Sequence, residues 1–234
     1  MIWVGTSGYN YVEWKGRFYP SDLPAKKMLA FYASRFQTVE INYTFYRMPN
    51  ASTLEGWLGE TPAGFTFTLK APRRITHDRR LRDCAELVST FCERAAILGD
   101  RLGVVLFQLA PTFKIDLPLF DAFLETLPPG LRATFEFRHP SWHDDQVFER
   151  LRRRNLALCI ADSEERSTPR VSTASYGYLR LRDEGYGEED LREWAAFVAG
   201  QTEWKDVFVY FKHEDEGKGP EFAAAFMEAV KARM

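Results

Sequence analysis

Short apolar runs recur along the chain, and Gly, Pro, Asn or Asp residues bound each of them. Runs that are rich in Val, Ile, Leu and aromatic residues are typical of β-strands, whose successive side chains point to opposite faces of a sheet. The pattern predicts eight strands: Ile2–Gly5, Thr38–Asn42, Phe65–Lys70, Gly103–Gln108, Ala133–Arg138, Leu156–Ala161, Gly177–Arg182 and Asp206–Phe211.

Apolar residues at helical spacing fill most of the intervals between these strands. One stripe runs from Leu81 to Leu98, and shorter stripes lie at 117–127, 191–198 and 222–230. Segment Ser163–Tyr176 shows no such stripe, so the sixth β/α unit is predicted to be irregular, with loop in place of its helix.

Two serines mark predicted helix starts. Ser52 and Glu55 have the spacing of a capping box, which predicts the start of the helix after the second strand. Ser141 is the predicted N-cap at the entry to the helix after the fifth strand.

Strands that alternate with helices form parallel sheets through right-handed crossovers. Eight strands favour closure into a barrel over an open doubly wound sheet, and the chain lacks a Gly-rich phosphate fingerprint. A length of 234 residues fits a closed barrel. We therefore predict one α/β domain over residues 1–234, a (β/α)8 TIM-type barrel.

Composition and charge narrow the class of protein. The formal net charge of -2 argues against a protein whose whole surface is positively charged for binding duplex nucleic acid. It does not exclude a local basic patch. The chain has no membrane-length apolar run, and its first residues lack the basic and apolar regions of a signal peptide, so we do not expect them to be one. Cys84, Cys92 and Cys159 lack zinc or redox spacing and are expected to be reduced core thiols. These features predict a cytoplasmic protein without a membrane partner, and they specify no oligomeric state.

Alternation inside four of the strands places charged side chains in the barrel lumen. In Phe65–Lys70 the large apolar residues face the helices, so Lys70 faces inward. The same rule turns further polar side chains inward: Glu40, Asn42, Glu136, Arg138, Arg180 and Arg182. Ionisable groups persist in a lumen only where they are paired or used. A ligand site at the C-terminal ends of the strands is the interpretation we favour, and a structural ion-pair network is the alternative.

Four residues are candidates for catalysis, each beside a structural alternative. Glu40 and Glu136 are candidate general acids or bases, or else members of structural ion pairs. Lys70 is a candidate Schiff-base amine or a point charge for an anion, and the second use is favoured. His139, held extended before Pro140, is a candidate proton shuttle or a loop residue bonded to backbone.

Other residues near the strand ends are candidates for ligand contact: Asn42, Tyr46, Gln108, Arg138, Trp142, Asp162, Arg180 and Arg182. The arginines would clamp a carboxylate or phosphate. Trp142 would form a wall for a planar or sugar ligand, or else cover a helix, and Gln108 would orient a neighbour.

A divalent metal is the main competing hypothesis for the site. Oxygen and nitrogen ligands are available in Glu40, Glu136, Asp162, His77, His139 and His213. No pair has a local metal-binding spacing, and several inward cations would oppose a dication. No metal ligand and no cofactor are therefore assigned.

Several motifs occur in order along nearly the whole chain: GTSGY, VEINYTFYRMP, LKAPRRITH, GVVLFQLAP, EFRHPSW and the segment from Cys159 to Asp162. In this series the chain resembles the YecE-like family, domain of unknown function 72. The resemblance implies a barrel of this type and no established activity. Two positions depart from the family pattern. Asp183-Glu184-Gly185 stands where many relatives carry His-Gly, and Lys212-His213 stands where relatives often show paired asparagines.

Three functions are consistent with these residues. The leading hypothesis is an enzyme, of hydrolase or lyase/isomerase type, that uses carboxylates on a small anionic or sugar-like molecule. The second is a metal-dependent phosphoester hydrolase that uses Glu136 and Asp162. The third is a non-catalytic module that binds a metabolite or single-stranded nucleic acid, and the nucleic-acid partner is not favoured.

Overall fold

Parallel strands form the centre of the molecule in a computed structural model that describes residues 1–163, 166–213 and 216–233. The strands are β1 (Ile2–Thr6), β2 (Thr38–Ile41), β3 (Thr66–Lys70), β4 (Leu102–Gln108), β5 (Ala133–Glu136), β6 (Ala157–Ser163), β7 (Arg166–Ser167), β8 (Tyr176–Leu181) and β9 (Asp206–Phe211). Their order in the sheet is β1-β9-β8-β6-β5-β4-β3-β2, with β7 beside β6. All pairs along this order are parallel, so the predicted (β/α)8 barrel is confirmed.

Helices surround the strands. They are α1 (Met28–Ala33), α2 (Tyr43–Tyr46), α3 (Ala51–Glu60), α4 (Ala85–Ala95), α5 (Leu117–Leu124), α6 (Asp145–Arg153), α7 (Glu188–Ala199) and α8 (Lys218–Lys231). Short 3-10 turns add to them, and a π-helical turn occupies Arg74–Asp78, directly after β3. Every strand that the alternation predicted is present, with ends that differ by at most two residues.

Both predicted helix starts need correction. The N-cap of α3 is Asn50, whose side chain accepts from the backbone N–H three residues on at 2.8 Å. Ser52 therefore lies inside the helix. The N-cap of α6 is Asp144, while the Ser141 hydroxyl accepts from the N–H of Ile115 at 2.9 Å. Asn and Asp cap at least as well as Ser, so nearby competitors decide which residue caps.

The sixth β/α unit is irregular, as predicted. Within the described part of segment Ser163–Tyr176 there is no helix. Instead β7 folds back on the end of β6 in an antiparallel pair, with Asp162 opposite Ser167. The described remainder of the segment runs as loop to β8.

The core has two layers that follow from side-chain alternation. Outward-facing residues pack against the helices in one large apolar cluster. Inward-facing residues fill the lumen in a second cluster: Val104, Leu106, Ala157, Cys159, Ala174, Tyr176, Tyr178, Phe208 and Tyr210. The Tyr210 hydroxyl crosses the lumen and lies 2.7 Å from Thr38 Oγ1 and 2.8 Å from Thr68 Oγ1. The lumen below the mouth is therefore a packed core.

The seam between β1 and β2 closes without a regular ladder. An isolated bridge joins Ser7 to Glu40, and α1 supplies the other link. The Tyr32 hydroxyl accepts from the N–H of Thr6 at 2.8 Å and donates to the carbonyl of Thr38 at 3.1 Å. A Cβ on Gly5 would lie 2.2 Å from that carbonyl oxygen, so the two strands approach too closely for a side chain.

We expect Tyr32→Phe to lower the free energy of unfolding by about 1–3 kcal/mol, because it leaves a buried N–H and a buried C=O without their partner. Urea unfolding measures the loss, and hydrogen exchange should show faster exchange of the Thr6 amide. Tyr43→Phe removes a hydroxyl from a side chain that is 45% exposed and is the matched control. An unchanged midpoint for Tyr32→Phe would mean that the hydroxyl does not hold the seam.

Candidate active site at the barrel mouth

Three buried ionic side chains meet at the C-terminal ends of the strands. Arg180, from β8, lies 2.8 Å from Glu40 Oε1 on β2 and 2.5 Å from Glu136 Oε2 on β5. The exposed fractions are 1%, 0% and 2%, respectively. The alternation of side chains predicted that all three face inward. We call these residues the Glu–Arg–Glu triad.

Neutral side chains complete the hydrogen bonding of the triad. Ser7 and Tyr178 donate to opposite oxygens of Glu40, and Asn42 in turn donates to Ser7 Oγ at 2.9 Å. Gln108 donates to Glu136 Oε2 at 2.9 Å, which is the orienting contact that its position suggested. Ser7 and Tyr178 were not predicted as site residues, because neither carries charge and one lies in a loop.

The charged groups of the triad bind one another, which leaves little room for each of them to bind a ligand. The Arg180 Nη atoms bind the two carboxylates, and its Nε is buried without a partner among the described residues. Arg180 therefore holds the carboxylates, unlike the ligand clamp expected from the sequence. Glu40 is fully buried and positions Arg180, whereas Glu136 lines a cavity at the mouth.

The charge of Glu136 is set by its neighbours. Burial raises the pKa of this carboxyl, but the cations Arg180, Arg182 and Lys70 and the hydrogen bond from Gln108 outweigh burial and lower it to about 2. Glu136 is therefore an ionised carboxylate throughout the neutral pH range.

Lys70 has a different environment at the end of β3. It is 8% exposed and forms no ion pair with any carboxylate of the described residues. Its Nζ instead lies 4.2 Å from the centre of the Phe45 ring, on α2. Burial is the main cause that lowers the pKa of Lys70 to about 8, and four charges modify it: Arg180 and Lys212 lower it, Glu136 and Glu40 raise it.

Phe45 also contacts a histidine. The His77 ring stands at 83° to it, with centroids 5.0 Å apart, and His77 Nδ1 lies 2.9 Å from Thr76 Oγ1. Burial and the charges of Lys70, Arg138 and Arg73 lower the pKa of His77. His77 lies in the π-helical turn. Such turns are rare in proteins, and those that occur are often found at functional sites. The sequence indicated His77 only as a possible metal ligand, and no local signal placed it beside Lys70.

A cavity of about 260 Å³ opens beside the triad, above β5, β6 and β8. Glu136, Arg138 and Arg182 line it, together with Ser163 and Thr168. Both arginines are half-buried. The cavity thus presents two guanidinium groups and hydroxyls, a set that suits a small anionic group.

A second cavity, of about 320 Å³, lies above β1 and β2. Asn42, Tyr9, Tyr43 and Trp57 contribute to its walls, so it is more aromatic than the first. Tyr46, a predicted ligand contact, also lies on α2; it is 75% exposed and is not among the residues that line this cavity.

Three other predicted site residues have mainly structural contacts. Trp142 is completely buried, stacks on Phe137 at 4.9 Å and donates to the carbonyl of Phe113. It is therefore part of the core, not a wall of the mouth. His139 accepts from the N–H of Ser141 at 3.2 Å, and Asp162 accepts from the Tyr186 hydroxyl at 2.8 Å.

The residues that could hold a metal do not converge. Across 1–163, 166–213 and 216–233 there is no group of three or more His, Cys, Asp or Glu side chains suited to a metal ion. The same part of the chain contains no helix with the length and apolar character needed to cross a membrane.

Several known proteins are similar to this chain in sequence, and the chain spans less than two thirds of the first of them. The chain is 32% identical over 169 residues to the UPF0759 protein YecE of Escherichia coli K12, which covers 70% of this chain and 60% of YecE. The UPF0759 protein YunF of Bacillus subtilis is 24% identical over 271 residues, which covers 98% of this chain and 95% of YunF.

Solved structures give the same fold. A DUF72 family protein from Thermotoga maritima superposes with a TM-score of 0.84 at 27% identity and 99% coverage of both chains. A glycoside hydrolase family 5 enzyme from Prevotella bryantii has a TM-score of 0.54 at 11% identity, covering 97% of this chain and 95% of that one, which is a likeness of fold alone. The family model described as "Protein of unknown function DUF72" matches residues 3–234, and this chain therefore belongs to the DUF72 family.

Proposed function

We propose that this protein is an enzyme that transfers protons on a small anionic metabolite at the C-terminal mouth of the barrel. The observation that carries the proposal is Lys70, a buried amine at the functional end of a strand that has no carboxylate partner among the described residues. A structural lysine in a lumen is normally paired, because an unpaired buried charge is costly.

The neighbours of Lys70 support distinct roles. A group with a pKa of about 8 exchanges protons near neutral pH, so Lys70 is better suited to general acid–base catalysis than Glu136, which stays ionised. The triad keeps a fixed charge close to Lys70. Arg138 and Arg182 hold the anionic group of the substrate in the 260 Å³ cavity.

The cysteines support an inference about the cellular compartment of the protein. Cys84, Cys92 and Cys159 are buried free thiols, which suit a reducing compartment, and we infer a cytoplasmic location.

Lys70→Met should reduce turnover by about 10²–10⁴-fold while the variant still binds its ligand, because the proton-transferring group is lost and the arginines remain. A thermal-shift screen of phosphorylated and carboxylated metabolites on the wild type identifies ligands, since a ligand of the native state raises the melting temperature. Turnover of each hit is then compared in wild type, Lys70→Met and the exposed control Lys26→Met. In wild type the rate should rise as the pH approaches about 8, because neutral Lys70 is the proton acceptor.

Two results would contradict the proposal. Unchanged turnover in Lys70→Met would remove Lys70 from the chemistry. Ligand binding that survives Arg138→Met and Arg182→Met would move the anion away from the cavity.

A further inference from the structure

The surroundings of the Lys70 amine also favour its use as a nucleophile, in addition to proton transfer. Two environments make a lysine nucleophilic, namely an apolar pocket and a neighbouring cation. Lys70 has both: its side chain is only 8% exposed, with the Phe45 ring centre 4.2 Å from Nζ and no described carboxylate paired with it, and Arg180 lies close enough for its charge to act on the amine. A lysine that served only as a point charge would gain from a carboxylate at its head, and no described carboxylate pairs with it.

We propose that Lys70 forms a covalent imine with a small carbonyl compound that bears an anionic group, either carboxylate or phosphate. This inference rests on the proposed function and names its substrate class. The carbonyl end reaches Lys70 beside Phe45, and the anionic end is bound by Arg138 and Arg182 in the cavity that Glu136 lines, Glu136 being close enough for its charge to act on Lys70.

The reaction balances without an oxidant or a reductant. The lone pair of the neutral Lys70 amine forms a bond to the carbonyl carbon, and the carbonyl oxygen takes up a proton. The oxygen takes up a second proton and leaves as water, the nitrogen gives up both of its hydrogens as protons in the course of the reaction, and a C=N double bond remains. His77 contacts the same Phe45 ring and carries protons to and from the departing oxygen.

The fixed charges at the mouth favour the anionic end of this substrate. Arg138 and Arg182 are half-buried and line the cavity, where their two positive charges outnumber the one carboxylate that also lines it, Glu136, whose Oε2 is held by Arg180 at 2.5 Å. A neutral carbonyl compound would gain nothing from the two arginines and should react less.

Reductive trapping tests the inference on the wild-type protein. The probes are pyruvate, glyceraldehyde 3-phosphate and the neutral aldehyde propanal, each with borohydride at pH 8, followed by peptide mapping by mass spectrometry. At this pH roughly half of Lys70 is neutral, against less than about 1% of an exposed lysine. We expect the adduct at Lys70 to exceed that at the exposed Lys26 and Lys231 by at least about tenfold. Because a ketone and an aldehyde differ in intrinsic reactivity, the Lys70 adduct of each probe is divided by the adduct of the same probe at Lys26 and Lys231, and a higher ratio for pyruvate or for glyceraldehyde 3-phosphate identifies the anionic group as carboxylate or phosphate.

The outcomes separate this inference from the proposed function. Equal labelling of Lys70 and the exposed lysines, or a preference of Lys70 for propanal, would overturn the covalent substrate class. If Lys70→Met nevertheless loses turnover on a thermal-shift hit, Lys70 acts in proton transfer alone and the proposed function stands. Lys70→Arg, which keeps the charge and cannot form the imine, should lose the adduct while still binding an anion.

Discussion

Arg180→Met is expected to lower the free energy of unfolding by about 3–5 kcal/mol. Methionine fills much of the same volume, but it leaves two carboxylates that are almost fully buried without their shared cation. A buried charge that loses its partner costs far more than the pair contributed while intact. Urea unfolding at pH 7 measures the loss, and Arg192→Met on α7, whose side chain is 54% exposed, is the matched surface control.

The pH dependence of this variant has a definite sign. Without Arg180, the first of the cations that lower the pKa of Glu136 is lost, and burial should raise its folded-state pKa above the unfolded value, so the folded state of the variant takes up a proton there. Stability should then be greatest below the unfolded pKa and fall as the pH rises through the folded pKa. The deficit of Arg180→Met is therefore expected to be larger at pH 8 than at pH 5.

A triple variant separates charge from packing. Glu40→Gln, Arg180→Met and Glu136→Gln together remove all three charges and should recover much of the lost stability. A loss below about 1 kcal/mol in Arg180→Met alone, or no recovery in the triple variant, would mean that the triad is not a mutually dependent charged unit.

The opposite effect is expected at Lys70: Lys70→Met should stabilise the protein by up to about 3 kcal/mol at pH 7. The folded-state pKa of about 8 lies below the ordinary value of 10.5, so folding at pH 7 forces a proton to stay on an amine whose surroundings disfavour it. Methionine removes this cost and can keep a sulfur–aromatic contact with Phe45.

Linkage gives the pH window for the Lys70 effect. Between about pH 8 and 10.5 the unfolded chain binds more protons at this lysine than the folded chain, so the stability of the wild type rises relative to the variant. The advantage of Lys70→Met is therefore full below about pH 8 and disappears towards pH 10.5. Unfolding curves of both proteins at pH 7 and pH 9.5 measure it, with Lys26→Met as control. Destabilisation at pH 7 would instead show that Lys70 is held by favourable charge interactions.

Gains in stability on loss of a charged residue often mark functional sites, where activity requires an unfavourable arrangement. The triad and Lys70 are both buried and ionic, but the triad is expected to stabilise the fold and Lys70 to destabilise it. Arg180 is paired on both sides, whereas Lys70 faces an aromatic ring.

Local sequence was sufficient for the strands and for the direction of their charged residues. Alternation has a period of two, so a single strand such as Phe65–Lys70 reveals which side Lys70 faces without reference to any other strand. For this reason the barrel and the inward positions of Glu40, Glu136 and Arg180 could be predicted.

Contacts between side chains on different sides of the barrel could not be predicted from local sequence patterns. Which carboxylates Arg180 reaches depends on side chains that meet at one height in the lumen from strands far apart in sequence. Phe45 lies in a run of aromatic residues, Tyr43 to Tyr46, and nothing in that run distinguishes the ring under Lys70. Trp142 follows Pro140 outside the strands, where no alternation rule applies. The local sequence therefore does not indicate whether its side chain turns to the mouth or to the core.

The seam between β1 and β2 has a consequence for synthesis on the ribosome. In the described part of the chain β1 has a regular ladder only with β9, its neighbour on the other side, although 199 residues, from Ser7 to Lys205, lie between the two strands. A nascent chain in which β2 to β8 have already formed still holds the Ile2–Thr6 segment as an unpaired edge, and such edges promote association between chains. Completion of β9 is thus the step that removes this hazard, and we expect chaperone dependence to end there.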